Sequence, residues 1–219
     1  MKKLLVSSSH YYQWHRRAGI HYFSDFFIHK GYTCHWITLP YTPLHLFSKA
    51  FRSEKLMYAK RYSKAPCKVA ENVYNSTCFS LTYPKKGLPE WSYHQFLSFS
   101  NIKKHLKMMD FEKPDIFLLE SGIGFDLLPY IQPHMTILRI SDDLDALSCP
   151  PYVLKKETAA INSFSLTTTV NQALKDILVS RGAQGENVAL IANGIDVRQF
   201  DFPVFIPQNK KPVCVYVGV

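Results

Sequence analysis

An acidic run, SDDLD at positions 141–145, is the part of this sequence best suited to proton transfer. It directly follows the apolar run that ends at Ile140. A carboxylate of Asp143 or Asp142 at such a point can act as a general base or accept a hydrogen bond from a substrate hydroxyl. The structural alternative is that one of the two caps the turn that follows while the other is solvated. Both aspartates are therefore candidate catalytic residues.

A second candidate for proton transfer is Glu120, which follows the apolar residues Ile116–Leu119. A carboxyl at that position is expected to be partly desolvated, and partial desolvation favours a role in proton transfer. A structural hydrogen bond to a neighbouring loop accounts for it equally well. Gly122 and Gly124 come next, where the lack of a side chain allows either a substrate to approach the backbone or the chain to turn.

Basic side chains near the N-terminus form a third group, which is suited to binding an anionic substrate. They are His10, Arg16, Arg17 and His21, close to the predicted start of a helix. The N-terminus of a helix attracts anions because its backbone N–H groups are free and its dipole is positive there. We therefore expect these residues to contact the substrate. The alternative for Arg16 and Arg17 is an ordinary pair of surface charges.

Apolar runs that alternate with helical segments predict the elements that position these three groups. KKLLVSSS is the first predicted strand, and a helix follows from about Gly19 to Lys30, closed by Gly31. Near-continuous apolar strands, such as Ile116–Leu119 and Thr136–Ile140, are typical of a parallel sheet covered on both faces. The predicted fold class is therefore α/β, a doubly wound, mainly parallel sheet. Because ligands bind at the carboxyl ends of such strands, we expect the three groups on one rim.

Further helices are indicated by their end signals and spacing. Asn171 is the predicted N-cap of one helix, and Gly182 follows its last turn. Another helix is entered through Pro150-Pro151, and the spacing of apolar residues predicts one over Trp91–Met109.

The last part of the sequence predicts a domain boundary. Val188–Ile191 suits a buried strand, and Asn193-Gly194 supplies a turn. The segment 201–211 contains prolines and no helical period, which is typical of a linker, and the apolar run VCVYVGV comes after it. We therefore expect a first domain over residues 1–200, a linker at 201–211, and the first strand of a truncated second domain at 212–219.

Charge is distributed unevenly along the chain, whose formal net charge is +9. Residues 1–110 contain 17 Lys and Arg against 5 Asp and Glu, whereas the remaining residues contain 9 against 12. Within the basic half, the segment 41–68 interleaves basic with aromatic residues, a pattern suited to an anionic membrane surface. The alternative is the solvated basic face of a surface helix. The residues expected to face a membrane are Phe47, Phe51, Arg52, Lys55, Tyr58, Lys60 and Arg61.

Several classes of protein are disfavoured by what the sequence lacks. No apolar run approaches the roughly 20 residues that span a bilayer, and the N-terminal apolar stretch is too short for a signal peptide. The five cysteines are scattered without metal-ligand spacing, so we expect reduced thiols in a cytosolic protein and no metal. G-x-G-x-x-G and P-loop motifs are absent, and no nucleic-acid-binding motif accompanies the basic residues, so no nucleic-acid partner is expected.

The stretch from SDDLD to the C-terminus closely resembles the middle of GT-B glycosyltransferases. In that fold the first domain ends with a strand, a helix, Gly-Ala, a turn of the form NG-(V/I)-D and a phenylalanine, and the second domain opens with a strand that ends in glycine. The matching residues here are Thr167–Val170, Gln172–Ser180, Gly182-Ala183, Asn193–Asp196, Phe200 and Val213–Gly218. The resemblance implies the Rossmann-like N-terminal half of a GT-B fold.

The N-terminal stretch is similar to the xanthan-type glucuronosyltransferases. SSSHYYQWHRRAGIHYFSDFFIHKGYTCHWITLPYTPLHLF has their S-x-H, basic pair, H-(Y/F)-(F/I), K-G-(Y/H) and Tyr-x-Pro-Leu in the same order. Those enzymes are inverting and transfer a sugar acid from a nucleotide sugar to a lipid-linked oligosaccharide at the cytoplasmic face of the inner membrane. They use an aspartate of the N-terminal domain as the base. The resemblance implies Asp143 or Asp142 in that role, with Glu120 as the reserve.

The resemblance also implies the partners of this chain. In GT-B enzymes the second domain holds most of the donor, so the nucleotide sugar is a co-substrate bound mainly there, no other cofactor is needed, and this chain alone is expected to be inactive. The implied partners are the nucleotide sugar, a lipid-linked saccharide acceptor and an anionic membrane surface, in the synthesis of a cell-surface polysaccharide. The implied location is peripheral, on the inner face of the plasma membrane. The alternative is a non-catalytic module that binds membrane or lipid-linked saccharide.

Overall fold

A computed structural model describes residues 1–14, 17–41, 61–79, 101–147, 149 and 151–193. One eight-stranded sheet lies at the centre of these residues. Its strands are β1 (Lys2–Ser8), β2 (Tyr32–Tyr41), β3 (Cys67–Ala70), β4 (Val73–Phe79), β5 (Ile116–Glu120), β6 (Met135–Ile140), β7 (Leu166–Thr169) and β8 (Val188–Leu190). Their order across the sheet is β3-β4-β2-β1-β5-β6-β7-β8. All neighbouring strands are parallel except β3 and β4, which confirms the predicted mainly parallel sheet.

Helices cover both faces of this sheet. They are α1 (Gly19–His29), α2 (Ile102–Met108), α3 (Pro151–Ile161) and α4 (Gln172–Ser180), with 3₁₀ segments at Ile123–Tyr130 and Gly185–Asn187. Successive residues of a strand point to opposite faces, so Leu4 and Val6 pack with Ile20 of α1, whereas Leu5 belongs to the cluster that includes Ile161 of α3. We call these two sides of the sheet the α1 face and the α3 face. The doubly wound architecture is thereby confirmed.

The signals for helix ends behave as predicted. Gly31 follows α1 with a φ of +85°, and Gly182 follows α4 with a φ of +99°. Both values lie in the left-handed region that favours glycine. The Asn171 side chain accepts a hydrogen bond from the backbone N–H of Leu174 at 2.8 Å, which makes it the N-cap of α4. These local interactions fix where two of the crossover helices stop or start.

The last strand differs from the sequence prediction. β8 lies at the edge of the described sheet, with β7 as its neighbour. Leu190 and Ile191 are therefore exposed, by 48% and 38%, and the expectation that they are buried is wrong. An apolar residue at the end of an edge strand stays exposed because only one neighbouring strand packs beside it.

Several predicted features lie outside the described residues. They include the domain boundary near residue 200, the N-terminal part of the helix predicted over Trp91–Met109, and every membrane-facing candidate except Arg61. Arg61 is exposed, with its guanidinium 5.6 Å from the centre of the Tyr62 ring. Of the described helices, none combines the length and apolar character needed to cross a bilayer. Cys34, Cys67 and Cys149 are free thiols.

Candidate active site at the carboxyl edge of the sheet

The carboxyl ends of β1, β5 and β6 form one rim. The Ser8 hydroxyl donates to the Glu120 carboxylate at 2.5 Å, which joins the end of β1 to the end of β5. The backbone N–H of Ser121 donates to the carbonyl of Arg139 at 2.8 Å, which joins β5 to β6. The acidic run at 141–145 begins directly after β6. The sheet therefore brings the groups at all three strand ends to one edge, as the strand pattern suggests.

Asp143 is held in place by Arg181, the residue at the C-terminus of α4. Its Oδ1 lies 2.8 Å from Nη1 of Arg181, and it accepts the backbone N–H of Asp145 at 3.1 Å. The hydrogen bond from Arg181 is the main cause that lowers the pKa of Asp143, so this carboxylate is ionised at neutral pH. Asp142 is exposed. Asp143 thus caps the turn that follows β6, as the structural alternative predicts. The exposed carboxylate of Asp142 precedes it in the chain.

A buried carboxyl behind this pair, Glu157 of α3, is missed by the sequence analysis. It is 2% exposed and accepts a hydrogen bond from the Ser121 hydroxyl. Burial is the main cause that raises the pKa of Glu157, and the nearby Asp143 carboxylate acts in the same direction. The sequence gives no signal for it, because a glutamate in the helix LKKETAA looks like a solvated residue.

Glu120 and the two glycines that follow it lie at the carboxyl end of β5. Glu120 is half-buried and bonds to the hydroxyls of Ser8, at 2.5 Å, and Ser9, at 3.5 Å. A Cβ on Gly124 would collide with the Ser7 and Leu119 side chains, and Gly122 has a φ of +142°. Close backbone approach therefore accounts for Gly124 and backbone conformation for Gly122, while contact with a substrate stays a prediction for both.

The basic residues predicted to bind the substrate lie in different environments. His21 is fully buried: its Nδ1 accepts the N–H of Ala18 and its Nε2 donates to the carbonyl of Tyr11, both at 3.0 Å. Burial lowers the pKa of His21, and the neutral ring stacks on Trp36 with centroids 4.9 Å apart. In this position it holds the β1–α1 loop. His10 is only partly buried, and its ring lies 6.2 Å from that of His21.

The two arginines of this group are not equally described. Arg17 forms an ion pair with Asp25, and its guanidinium lies over the rings of Tyr12 and Tyr22 at 5.5 and 5.7 Å. Its charge is therefore balanced within α1 and the preceding loop. Arg16 lies outside the described residues, so its contact with a substrate stays a prediction.

Arg139 of β6 is the second functional candidate that sequence analysis missed. It is fully buried on the α1 face, where its guanidinium lies 4.5 Å from the centre of the Phe23 ring. Its Nη2 donates to the side-chain oxygen of Asn193 at 2.5 Å. The sequence does carry a signal: a single arginine interrupts the otherwise apolar strand MTILRI. A charged residue in a strand that is buried on both faces requires a partner.

A family model described as the N-terminal domain of glucuronosyltransferase GumK matches residues 6–170. Sucrose-phosphate synthase from Thermosynechococcus elongatus is similar in structure, with a TM-score of 0.55 and 9% identity over 93% of this chain and 53% of the synthase chain. A second structure of that synthase gives a TM-score of 0.52 and 10% identity over 91% of this chain and 93% of the other. At these identities the likeness shows the fold alone.

The chain thus spans about half of the first of these two synthase chains. A search of curated protein sequences finds no match. Within the described ranges, no three His, Cys, Asp or Glu side chains are close enough together to hold a metal ion.

Proposed function

Because the chain belongs to the family of the GumK glucuronosyltransferase N-terminal domain, we propose that it is the acceptor-binding part of a glycosyltransferase. The proposed reaction moves a sugar, with a uronic acid as the leading candidate, from a nucleotide sugar to a lipid-linked or polysaccharide acceptor. The observation that supports this best is the rim, where Glu120 and the Asp142–Asp143 pair lie at the ends of adjacent parallel strands. Ligands of such sheets bind at this edge.

The proposed chemistry is a single displacement with inversion. An aspartate of the rim takes the proton of the acceptor hydroxyl while that oxygen attacks the anomeric carbon of the donor. The bond from the anomeric carbon to the phosphate oxygen breaks, and the nucleoside diphosphate leaves with the electron pair. The donor is a co-substrate held mainly by a second domain, and the scheme uses no other cofactor.

The two aspartates suit different parts of this scheme. Asp143 is ionised and lies 2.8 Å from Arg181, which fixes the orientation of its carboxylate. Because Arg181 also lowers the pKa of Asp143, it makes this carboxylate a weaker base. Asp142 is exposed next to it and is free to approach a sugar hydroxyl. We propose Asp143 as the base, with Asp142 as the competing assignment, and Glu120 as the reserve.

The test compares Asp143→Asn, Asp142→Asn and Arg181→Met in a chain that carries both the acceptor-binding and the donor-binding domain. We expect Asp143→Asn to lower turnover about 100-fold or more with folding intact. Loss of Arg181 removes the interaction that lowers the pKa of Asp143. Arg181→Met should therefore move the acidic limb of the kcat/KM profile to higher pH.

The outcomes separate the assignments. A large loss in Asp142→Asn, with an unchanged pH profile in Arg181→Met, would assign the base to Asp142. Near-normal turnover in both aspartate variants would contradict the mechanism.

Peripheral membrane binding through the basic and aromatic segment 41–68 is part of the same proposal. Its support is the sequence pattern, with Arg61 exposed at the end that the structure describes. Co-sedimentation with anionic vesicles at low and high salt tests it. Binding should fall as salt rises, because salt screens exposed charges, and the absence of binding at low salt would contradict membrane association.

A further inference from the structure

An apolar groove on the α3 face lies between α3 and the 3₁₀ segment that follows β5. It holds about 420 Å³, which is within the range of small-molecule sites. One wall is a stripe of α3 at helical spacing, from Tyr152 past Ala159 to Ser163. Phe125 and Leu128 belong to the opposite wall. Because the methyl group of Ala159 fills little of the space beside the helix, a channel stays open along the stripe.

Contacts within the chain fix the walls of this groove. Lys156 of α3 forms an ion pair with Asp126 of the 3₁₀ segment. Asp126 also accepts the hydroxyl of Tyr152 at 3.1 Å. Phe125 is buried, and its ring centre lies 6.4 Å from that of Phe164. The groove is therefore held in place without a ligand, which lowers the entropic cost of binding.

A second cavity, of opposite character, adjoins the groove. It holds about 750 Å³, and Pro129 lines both cavities, so they meet at this residue. Its lining contains one acid, Glu112, and three lysines of α2, which are Lys103, Lys104 and Lys107. Within the described ranges none of these lysines forms an ion pair. Three positive charges against one negative charge leave this cavity a formal charge of +2.

The cationic cavity lies away from the candidate active site. Glu112 precedes β5, and its carbonyl accepts the backbone N–H of Gln132, which precedes β6, at 2.8 Å. The cavity is therefore near the amino edge of the sheet, whereas Glu120 is at the carboxyl edge. The five residues of β5 separate the two edges by about 16 Å. A ligand in this cavity leaves the rim free.

We propose that the two cavities form one binding site for a single-chain lipid phosphate. The apolar chain lies in the groove against Phe125 and Leu128, and the phosphate contacts the three lysines of α2. A phosphate monoester carries a charge of about −1.5 to −2 at neutral pH, which balances the charge of the cationic cavity. A singly charged carboxylate would leave that charge only partly balanced.

The dimensions of the groove favour one chain over a protein helix or a two-chain lipid. At 1.5 Å per residue the stripe from Tyr152 to Ser163 is about 16 Å long, and a helix about 10 Å across would occupy roughly 1,250 Å³ over that length. The groove holds about 420 Å³, so a helix does not fit inside it. One apolar chain does, while the second chain of a phospholipid would stay outside.

Isothermal titration of the 219-residue chain with farnesyl monophosphate, below its micelle concentration and at low salt, tests the site. Farnesol supplies the chain alone, and inorganic phosphate supplies the head alone. We expect farnesyl monophosphate to bind at least about tenfold more tightly than either. No binding of farnesyl monophosphate, or equal affinity for it and farnesol, would overturn the proposal.

Ala159→Phe tests the groove. Ala159 is exposed, so the added ring fills the channel without entering the core. Thr158→Phe is the matched control, because Thr158 is exposed on the same helix but does not line the groove. Affinity for farnesyl monophosphate should fall about tenfold in Ala159→Phe and stay unchanged in Thr158→Phe. Equal affinities of the two folded variants would overturn the site.

A double variant, Lys103→Gln with Lys107→Gln, tests the cationic cavity. Its affinity for farnesyl monophosphate should fall about tenfold at low salt, and the loss should shrink as salt rises. Lys2→Gln with Lys30→Gln is the control, since both lysines are exposed and line neither cavity. An equal loss in the two double variants would mean a general charge effect and overturn the site.

Dihexanoyl phosphatidylglycerol tests the choice of a single chain. Affinity for this two-chain lipid equal to that for farnesyl monophosphate would overturn the assignment. The site does not rest on the proposed function, and none of these variants changes the rim. Loss of lipid binding in Ala159→Phe and loss of glycosyl transfer in the aspartate variants are therefore separate results.

Discussion

Arg139 and Arg181 show how the two faces of one sheet hold the same charge in two different ways. Arg181 ends α4 on the α3 face, keeps 26% of its side chain exposed, and reaches Asp143 at 2.8 Å and Asp145 at 3.7 Å. Arg139 is enclosed on the α1 face with the side-chain oxygen of Asn193 as its acceptor. A surface arginine can reach several partners because its long side chain is free to move. The partners of an arginine inside a buried strand are fixed by the strands and helices packed around it.

The two arginines differ in how their charge is balanced. On the α3 face the carboxylates are bonded to a cation of the same chain, which fixes their positions without a ligand. On the α1 face, Nε and Nη1 of Arg139 have no hydrogen-bond partner among the described residues, and the charge of Glu120 acts on the guanidinium. The groups whose pKa is shifted by burial follow the same division: the pKa of His21 on the α1 face is lowered, and that of Glu157 on the α3 face is raised. The two faces should therefore respond oppositely to pH and unequally to added volume.

The largest effect is expected from added volume at Gly124, just after β5. Gly124→Ala places a methyl group against the side chains of Ser7 and Leu119, which belong to two paired strands that cannot move apart. Overpacking of this kind costs about 1–3 kcal/mol in the free energy of unfolding. The matched variant Gly19→Ala meets only the ends of the Arg139 and Asn193 side chains and should cost less. Urea unfolding measures both, and equal losses would contradict the contrast between the faces.

An intermediate effect is expected at Glu157. Since burial raises its pKa above the unfolded value of 4.5, the folded chain retains a proton that the unfolded chain has lost. Glu157 therefore makes folding less favourable as pH rises above 4.5. Glu157→Gln removes this dependence and still offers an oxygen to Ser121. Relative to the wild type, the variant should become more stable between pH 4.5 and pH 8, measured by urea unfolding.

That difference must grow with rising pH. A constant difference across the range would mean that Glu157 is ionised in the folded chain.

The smallest effect is expected at His21, with the opposite sign. Burial lowers its pKa below the unfolded value of 6.5, so the unfolded chain binds a proton first as pH falls. Its contribution to stability is therefore lost as pH drops below 6.5. His21→Gln should gain stability relative to the wild type when the pH falls from 7.5 to 5.5. Thermal unfolding at several pH values measures this difference, and a slope of the same sign as that of Glu157→Gln would refute the opposition between the faces.

The local signals of the sequence predict most of the fold. Gly31 and Asn171 mark helix ends through backbone conformation and a side-chain cap, which depend only on neighbouring residues. The apolar run before Glu120 predicts a buried strand for the same reason. The meeting of strand ends at one rim follows from the parallel sheet that these elements imply.

The partners of the site residues are not predictable in this way. Asp143 pairs with Arg181, which lies at the far end of α4, and no local pattern encodes that encounter. Glu157 looks like a solvated glutamate until α3 is placed against Ser121. Arg139 is visible as a charge in an apolar strand, but its neighbours depend on the face that the register selects. These contacts join residues distant in the sequence, so only the tertiary structure specifies them.

The pairing of β1 on both sides has a consequence for folding during synthesis. One edge of β1 meets β2, where Leu4 is in register with Cys34, but the other meets β5, where Leu4 is in register with Ile116. As the ribosome produces the chain from its N-terminus, the β1–β2 pair can form early, while the second edge of β1 stays unpaired until β5 emerges. An open strand edge is a template for association with other chains. Between the synthesis of β2 and that of β5, this edge of β1 is therefore open to association with other chains.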